Sequence, residues 1–278
     1  LPSPAAPHAA PIQLPTLQID KREVSVSGLS SGGFMTVQMH VAHASTFTRG
    51  AGVVAGGPYF CAEGSLAHAI GRCMEHRSAI PVDRLVQITR SWARQGWIDP
   101  VEGLRASRVY LFSGTHDPTV RPAVINDLRA YYAQFVPAEH IVYRQDVPAG
   151  HAMVTDDFGG ACDHTGAPFI NDCNLDLAGE LLRNLHGPLA PRNEGALRGE
   201  FIAFDQEEFV RGQGMADSGW LYVPQACAGG ATACRLHLVF HGCRQNEATL
   251  GAQSVRQTGY PRWADTNLRR FEDWIEAE

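Results

Sequence analysis

Serine chemistry is the first possibility that the sequence offers. Residues 28–32 read Gly-Leu-Ser-Ser-Gly, and residues 23–27 before them alternate in polarity with a period of two, as a strand does. The mostly apolar and small residues of the stretch 34–44 predict a helix. Strand, sharp turn and helix form the context in which a serine of a Gly-x-Ser-x-Gly motif becomes an exposed nucleophile, because glycines permit the tight reversal. We therefore predict that Ser30 is a nucleophile.

An acidic residue and a histidine each follow a later predicted strand. Residues 108–114 predict a strand that ends shortly before Asp117, and residues 141–147 predict one that ends shortly before His151. The chain order serine, acid, histidine is typical of α/β-hydrolases, so we expect Ser30, Asp117 and His151 to form a catalytic triad. The alternatives are Asp146, which falls inside the predicted strand, and Asp205 for the acid, and His116, His164 and His186 for the base.

The elements that must position these residues alternate between strands and helices. Residues 50–54 predict a buried strand, and residues 61–80 a loop. The alternation predicts a mostly parallel sheet flanked by helices, with the active groups gathered at the carboxyl ends of the strands. Further helices are predicted at 81–96, 123–135 and 177–185, and further strands at 200–204, 219–223 and 235–240.

A second glycine turn with possible chemistry lies late in the chain. The strand 236–240 runs into His241-Gly242-Cys243. A strand that ends in His-Gly is typical of the oxyanion-hole loop of α/β-hydrolases, where glycine lets the backbone present an amide to a carbonyl oxygen. In most of these enzymes the loop precedes the nucleophile, so its late position predicts a single-domain, circularly permuted α/β-hydrolase. The alternative for His241 is a core histidine at a strand end.

Composition limits the partners and the domain organisation. With 278 residues, 44% of them hydrophobic, the chain can bury a large core. A net charge of −6 argues against a nucleic-acid partner, and no apolar run reaches the roughly 20 residues of a membrane span. We expect residues 1–17, rich in proline and alanine, to be a flexible arm and residues 18–278 to be one catalytic domain.

The cysteine spacing indicates an oxidising compartment. Six of the seven cysteines fall into close pairs, which predicts local disulfides and a secreted protein. The predicted pairs are Cys61 with Cys73, Cys162 with Cys173, and Cys227 with Cys234. Cys243 is the odd one out.

The motifs together resemble the secreted poly(3-hydroxybutyrate) depolymerases with a permuted catalytic domain. The resemblance rests on residues 28–33, 150–151 and 241–246, and it extends over about residues 18 to 267. It implies a serine esterase that acts on the polyester or its oligomers through an acyl-enzyme, without a metal or an organic cofactor, and as a monomer. It also implies that the backbone amides of Ser31 and Cys243 hold the oxyanion, with His241 and Gly242 supporting the loop.

The end of the chain departs from that family. Residues 268–278 form a charged stretch that we interpret as helical, where the family continues with an apolar strand and a segment rich in cysteine and tryptophan. The departure predicts a truncated C-terminus, and it leaves Cys243 as a free thiol without its family partner. A feruloyl or acetylxylan type of esterase and a catalytically impaired fragment are the alternative functions.

Overall fold

A mostly parallel sheet organises the molecule. The computed structural model describes residues 11–209, 216–230, 233–267 and 270–275. In chain order the strands of these ranges are β1 (Ile19–Leu29), β2 (Gly50–Val54), β3 (Arg108–Phe112), β4 (Ile141–Arg144), β5 (Met153–Thr155), β6 (Gly160–Ala161), β7 (Ile170–Asp172), β8 (Glu200–Asp205), β9 (Ser218–Val223), β10 (Cys234–Phe240) and β11 (Arg270–Ile275). Eight of them form one sheet in the order β4-β3-β2-β1-β10-β11-β9-β8, and three form a small second sheet in the order β5-β7-β6.

The strand directions confirm the predicted fold class. Strands β4, β3, β2, β1, β10 and β11 run parallel, whereas β9 is antiparallel to both of its neighbours, β11 and β8. The carboxyl ends of β1, β3, β4 and β10 therefore meet at one edge of the sheet, which is where ligands bind in such folds.

Helices cover the sheet. The predicted helices at 81–96, 123–135 and 177–185 are present as α3 (Val82–Arg94), α4 (Pro122–Tyr132) and α5 (Leu177–His186). Leu181 of α5 packs so closely on Gly52 of β2 that a Cβ on this glycine would lie 2.2 Å from the leucine Cδ1. None of the helices in the described ranges is long and apolar enough to cross a bilayer. The helices are α1 (Ser31–Ala42), α2 (Leu66–His68), α3 (Val82–Arg94), α4 (Pro122–Tyr132), α5 (Leu177–His186), α6 (Glu247–Leu250), α7 (Gln253–Arg256) and α8 (Tyr260–Thr266).

Strand β1 buries polar side chains on one face, which the alternating pattern of its sequence does not reveal. Ser25 Oγ lies 2.9 Å from His186 Nε2 and 2.7 Å from His237 Nδ1. Ser27 Oγ lies 2.8 Å from His237 Nε2 and 2.9 Å from the Tyr260 hydroxyl. These hydrogen bonds tie β1 to α5, to β10 and to α8. All five side chains belong to buried residues, so the network lies in the interior below the turn that carries Ser30.

Two local predictions are wrong. Residues 61–80 are not a plain loop, because they contain α2 and a π-helical turn at Ala69–Met74, with the Ser65 hydroxyl capping α2. Asp146 does not lie inside a strand, since β4 ends at Arg144. Pro148, which has no N–H to donate to a ladder, follows directly after Val147. The small sheet of β5, β6 and β7 was not predicted either.

The helical interpretation of residues 268–278 is also wrong. Residues 270–275 form β11, which pairs in parallel with β10 and antiparallel with β9. A strand inserted between two others satisfies backbone groups on both of its sides, and this pairing outweighs the helical preference of a charged local sequence. Residues 268, 269 and 276–278 lie outside the described residues.

The cysteine pairs are as predicted. Cys61–Cys73, Cys162–Cys173 and Cys227–Cys234 are disulfides, and Cys243 is free and exposed. Of the predicted N-terminal arm, residues 1–10 lie outside the described residues. Ile12 pairs with β8 through hydrogen bonds to the backbone of Ala203 and Asp205.

Candidate active site

Ser30 lies at the turn between β1 and α1 in a backbone conformation that few residues adopt. Its φ of 60° and ψ of −123° are outside the regions usual for an L-residue, which is the kind of strain found at functional turns. The turn requires glycine at both flanks. A Cβ on Gly28 would lie 2.4 Å from the Gly32 carbonyl oxygen, and a Cβ on Gly32 would lie 2.2 Å from the Phe240 carbonyl oxygen. The predicted strand, turn and helix are present.

Asp117 and His151 form a buried pair. His151 Nδ1 lies 2.7 Å from Asp117 Oδ2, with side chains only 5% and 2% exposed. The other carboxylate oxygen accepts hydrogen bonds from the backbone N–H groups of Thr119 and Val120, at 2.8 and 2.9 Å. A carboxylate only accepts, so His151 Nδ1 carries a proton, and Nε2 of the neutral ring can accept one.

The loops after β3 and β4 hold this pair in place. The N–H of Thr115 donates to the Val147 carbonyl, and the N–H of His116 donates to the Ala149 carbonyl. Gly114 lets the two loops touch, because a Cβ there would lie 2.2 Å from the Ala149 carbonyl oxygen. The N–H of His151 donates to Thr165 Oγ1 at 2.9 Å.

The alternative acids and bases lie in other surroundings. Asp146 is mostly exposed and pairs with Arg144, and Asp205 caps a turn at the edge strand β8. His116 and His164 are exposed. His186 is buried in the network below β1. The structure thus brings none of these five to the Asp117–His151 pair as a partner.

At Gly242, the loop that follows β10 lies against the turn that carries Ser30. Strand β10 runs parallel to β1 and pairs Phe240 with Gly28, so the residues after the two strands lie side by side. A Cβ on Gly242 would lie 3.0 Å from Ser30 Cβ, a distance that favours glycine at this position. Cys243, Ser30 and Ser31 line the same cavity.

His241 is buried at the base of this loop. Its Nδ1 lies 2.8 Å from the Gly242 carbonyl oxygen, and the N–H of Gly242 donates to Gln245 Oε1 at 2.9 Å. Burial lowers the pKa of His241, against a smaller opposing effect of the hydrogen bond to Gly242. The ring is therefore neutral at pH 7. His241 is thus a buried histidine at a strand end, and its ring also contacts the backbone of the loop.

A cavity of about 350 Å³ opens beside Ser30. Its volume is typical of a site for a small molecule. The Cys61–Cys73 disulfide forms part of one wall, so the clipped segment that follows β2 shapes the site. The larger apolar side chains of its lining are Phe34, Phe60, Met74 and Val120.

Sequence reasoning missed the residues that act through the backbone. Thr119 and Val120 hold the Asp117 carboxylate through N–H groups, which any residue type except proline carries, so no sequence signal marks them. Thr165 lies in the polar segment after β5, where nothing in the sequence distinguishes it. The cavity wall had one signal, the close pair of cysteines at 61 and 73.

Sequence comparisons with known proteins find two relatives of the same kind. No protein-family model matches the chain. It is 58% identical over 262 residues to the poly(3-hydroxybutyrate) depolymerase of Delftia acidovorans, an alignment that covers 94% of this chain and 53% of the relative. It is 38% identical over 266 residues to the polyhydroxybutyrate depolymerase of Talaromyces funiculosus, covering 94% of this chain and 77% of the relative. The chain thus spans about half the length of the Delftia relative.

The solved structures that the chain resembles are of the same kind of protein. The crystal structure of PHB depolymerase from Penicillium funiculosum superimposes with a TM-score of 0.90 at 36% identity, covering 96% of this chain and 83% of that one. A serine-to-alanine variant of PHB depolymerase, complexed with an R3HB trimer, matches with the same TM-score, identity and coverage.

Proposed function

The chain belongs to the poly(3-hydroxybutyrate) depolymerase family, and we propose from this membership and its site that it is a serine esterase acting on the polyester or its oligomers. The observation that carries the proposal is the buried Asp117–His151 hydrogen bond at the strand edge that also holds Ser30 in a strained turn. This arrangement is that of a serine hydrolase.

The proposed reaction has two halves. His151 Nε2 takes the proton of the Ser30 hydroxyl while its oxygen attacks an ester carbonyl, and Asp117 fixes the imidazole through Nδ1 and stabilises the imidazolium that forms. The imidazolium then gives the proton to the leaving alcohol. Water, activated by the same imidazole, cleaves the acyl-enzyme and restores Ser30.

The backbone amides of Ser31 and Cys243 are the proposed oxyanion hole. Ser31 is the first residue of α1, where N–H groups have no partner within the helix. Cys243 follows Gly242, whose backbone lies against Ser30. Removing one such donor typically costs on the order of 100- to 1,000-fold in turnover, so the loop at 241–243 matters nearly as much as the triad.

The cavity beside Ser30 is the proposed seat of the hydroxyacyl group nearest the scissile ester. Its apolar side chains suit the methyl groups of 3-hydroxybutyrate units, and its mouth at Ser30 and Cys243 places a carbonyl near both nucleophile and oxyanion donor. No described group of the site requires a cofactor for this chemistry.

Compartment, assembly and chain order are proposed as well. Three disulfides support a secreted protein. The adjacency of β10 and β1 in the sheet supports a circular permutation, because the oxyanion strand comes late in the chain and yet neighbours the nucleophile strand. We further propose a monomer, with residues 18–278 as the catalytic domain.

Replacing the nucleophile tests the proposal. Ser30→Ala should lower the turnover of a p-nitrophenyl butyrate substrate on the order of a million-fold, because the residue forms the acyl-enzyme. Ser78→Ala, which alters an exposed serine outside the cavity lining, is the matched control and should retain full activity. Residual Ser30→Ala activity within about tenfold of the parent would refute the assignment of the nucleophile.

A substrate panel then tests the ester class. An R3HB trimer, polymer granules, methyl ferulate and acetylated xylan are compared at equal enzyme concentration. Faster turnover of either of the last two than of the trimer would transfer the proposal to a soluble-ester esterase. Failure on all four, with no labelling by a serine-reactive probe, would show that the chain is catalytically impaired.

A further inference from the structure

We propose that His241 is a positioning residue of the oxyanion hole, and that the small cavity beside its ring binds one water molecule that keeps the ring in the form this role requires. The inference rests on the proposed function, because it concerns how the amide of Cys243 is aimed at the reacting carbonyl.

The positioning follows from the planarity of one peptide. The Gly242 carbonyl and the Cys243 N–H belong to the same trans peptide and point in opposite directions. His241 Nδ1 donates to the Gly242 carbonyl oxygen at 2.8 Å, and the N–H of Gln245 donates to the same oxygen at 3.2 Å. These two bonds hold the carbonyl towards the interior. The Cys243 N–H must then point away from it, towards the cavity that Ser30 lines.

Because residue 242 is a glycine, its peptide needs these hydrogen bonds to keep one orientation. Glycine is favoured at this position because a Cβ there would lie only 3.0 Å from Ser30 Cβ. Glycine also permits more backbone conformations than other residues, so a peptide next to it can rotate unless its polar groups are tied. The Gly242 N–H is tied to Gln245 Oε1 on one side, and the Gly242 carbonyl to His241 on the other.

The hydrogen bond fixes the tautomer of His241. A carbonyl oxygen only accepts, so Nδ1 carries the proton, and the neutral ring has a lone pair on Nε2. Within the described part of the chain this nitrogen has no hydrogen-bond partner, and the residue is only 9% exposed. Leaving a buried hydrogen-bond acceptor without a donor costs about 1–3 kcal/mol of stability. A donor at Nε2 is therefore expected.

The cavity beside the ring is large enough for a water molecule, and its mostly apolar wall contains a few polar groups that could bind one. Its volume of about 20 Å³ exceeds the roughly 10–15 Å³ that one water needs. Two hydroxyls in its wall have their protons engaged elsewhere, because Ser254 Oγ donates to the Gln245 carbonyl and Thr258 Oγ1 donates to the Ser254 carbonyl. They cannot donate to Nε2, but each keeps a lone pair. A water can donate one proton to His241 Nε2 and the other to one of these hydroxyl oxygens.

A pair of near-isosteric variants separates positioning from packing. In His241→Asn the side-chain amide nitrogen occupies the place of Nδ1 and can still donate to the Gly242 carbonyl, whereas His241→Leu has no donor. Leucine should lower kcat roughly 10- to 100-fold with little change in KM, somewhat less than the loss of an oxyanion donor itself. Asparagine should recover most of that loss. Each rate is divided by the fraction of sites that a serine-reactive probe labels, so misfolded protein does not count.

The inhibition constant of a transition-state analogue is a measurement that a change in stability alone does not affect. A trifluoromethyl ketone forms an oxyanion on Ser30, so its Ki should rise in His241→Leu in proportion to the loss in kcat/KM. His40→Leu, a buried histidine on α1 outside the loop, is the control and should leave Ki unchanged. Equal rates and equal Ki values for parent, Asn and Leu variants would overturn the positioning role. An unlabelled, inactive parent protein would instead refute the proposed function.

The water has its own test. A high-resolution crystal structure of the parent should show a solvent peak within about 3.2 Å of His241 Nε2, and ¹⁵N NMR of the ring should show a protonated Nδ1 and an unprotonated Nε2. A protein donor at Nε2, or a proton on Nε2 in place of Nδ1, would overturn this part of the inference.

Discussion

Three buried histidines should make the fold sensitive to mild acid. Burial lowers the pKa of His40 to about 3, and it lowers the pKa values of His237, by a large amount, and of His186. In the unfolded chain each of them returns to an ordinary value near 6.5. Below that pH the unfolded state binds protons that the folded state excludes. Stability from this source is therefore fully present above about pH 7 and is lost as the pH falls.

The magnitude follows from the two protonation equilibria. When the pH falls from 7 to 5, a histidine with a folded pKa near 3 and an unfolded pKa near 6.5 lowers the free energy of unfolding by about 2 kcal/mol. Burial also lowers the pKa values of His237 and His186, so both histidines add to the loss in the same direction. A whole domain has only about 5–15 kcal/mol to lose. Near pH 5.5 each fully shifted histidine contributes about 1.2 kcal/mol per pH unit to the slope.

Guanidinium titrations at pH 5.0 to 7.0 measure that slope. His40→Asn keeps a partner for the Tyr132 hydroxyl, which lies 3.0 Å from His40 Nδ1, and it removes one titrating ring. We expect its slope to be lower by about 1.2 kcal/mol per pH unit, whatever its absolute stability. Gln95→Asn, which changes an exposed amide that does not titrate in this range, is the control and should leave the slope unchanged. A parent slope near zero, or the same slope in the His40 variant, would refute the reasoning.

Two further substitutions test the site. Asp117→Asn should keep the fold and lower turnover on the order of 10,000-fold, because the imidazole then takes the wrong tautomer. Asp146→Asn should have little effect. The opposite ranking of the two variants in a p-nitrophenyl ester assay would show that the wrong acid was chosen. Gly32→Ala should lower the melting temperature and abolish turnover, since overpacking costs about 1–3 kcal/mol or more and the new Cβ would meet the Phe240 and His241 carbonyl oxygens. Gly71→Ala, where a Cβ meets nothing within 4 Å, is its control, and equal melting curves for the two variants would contradict the close approach.

The sequence predicts most of what the site needs because its signals are local. Ser30 is marked by flanking glycines, and Asp117 and His151 by their place after apolar strands. Close spacing likewise marks the three disulfides. Each of these patterns depends on residues within a dozen positions, where short-range geometry decides the structure.

What the sequence does not reveal depends on contacts between distant segments. Residues 270–275 have a local helical preference, yet they form β11 because β9 and β10 offer backbone partners on both sides. Ser25 and Ser27 look like the solvent face of a half-buried strand, and only their histidine and tyrosine partners, more than 150 residues away, explain their burial. The amides that hold Asp117 carry no signal of residue type.

The hydrogen bonds below β1 can form a chain in which every donor points the same way, and the carboxylate of Glu23 favours one of the two directions. Glu23 has a lowered pKa and lies 3.6 Å from His186 Nδ1, so the carboxylate favours an N–H on that nitrogen. His186 Nε2 then accepts from Ser25, Ser25 accepts from His237 Nδ1, His237 Nε2 accepts from Ser27, and Ser27 accepts from Tyr260. Ser25, His237 and Ser27 each donate one hydrogen bond and accept one, Tyr260 donates one and His186 accepts one, so all the dipoles point towards Glu23.

The members of such a chain depend on one another. Removing Ser25, His237 or Ser27 leaves two buried neighbours without a hydrogen-bond partner, which is more costly than exchanging the whole set for apolar side chains of similar shape. We therefore expect the five interior residues at positions 25, 27, 186, 237 and 260 to vary together among related sequences, and a single polar replacement to be tolerated only where it can both donate and accept.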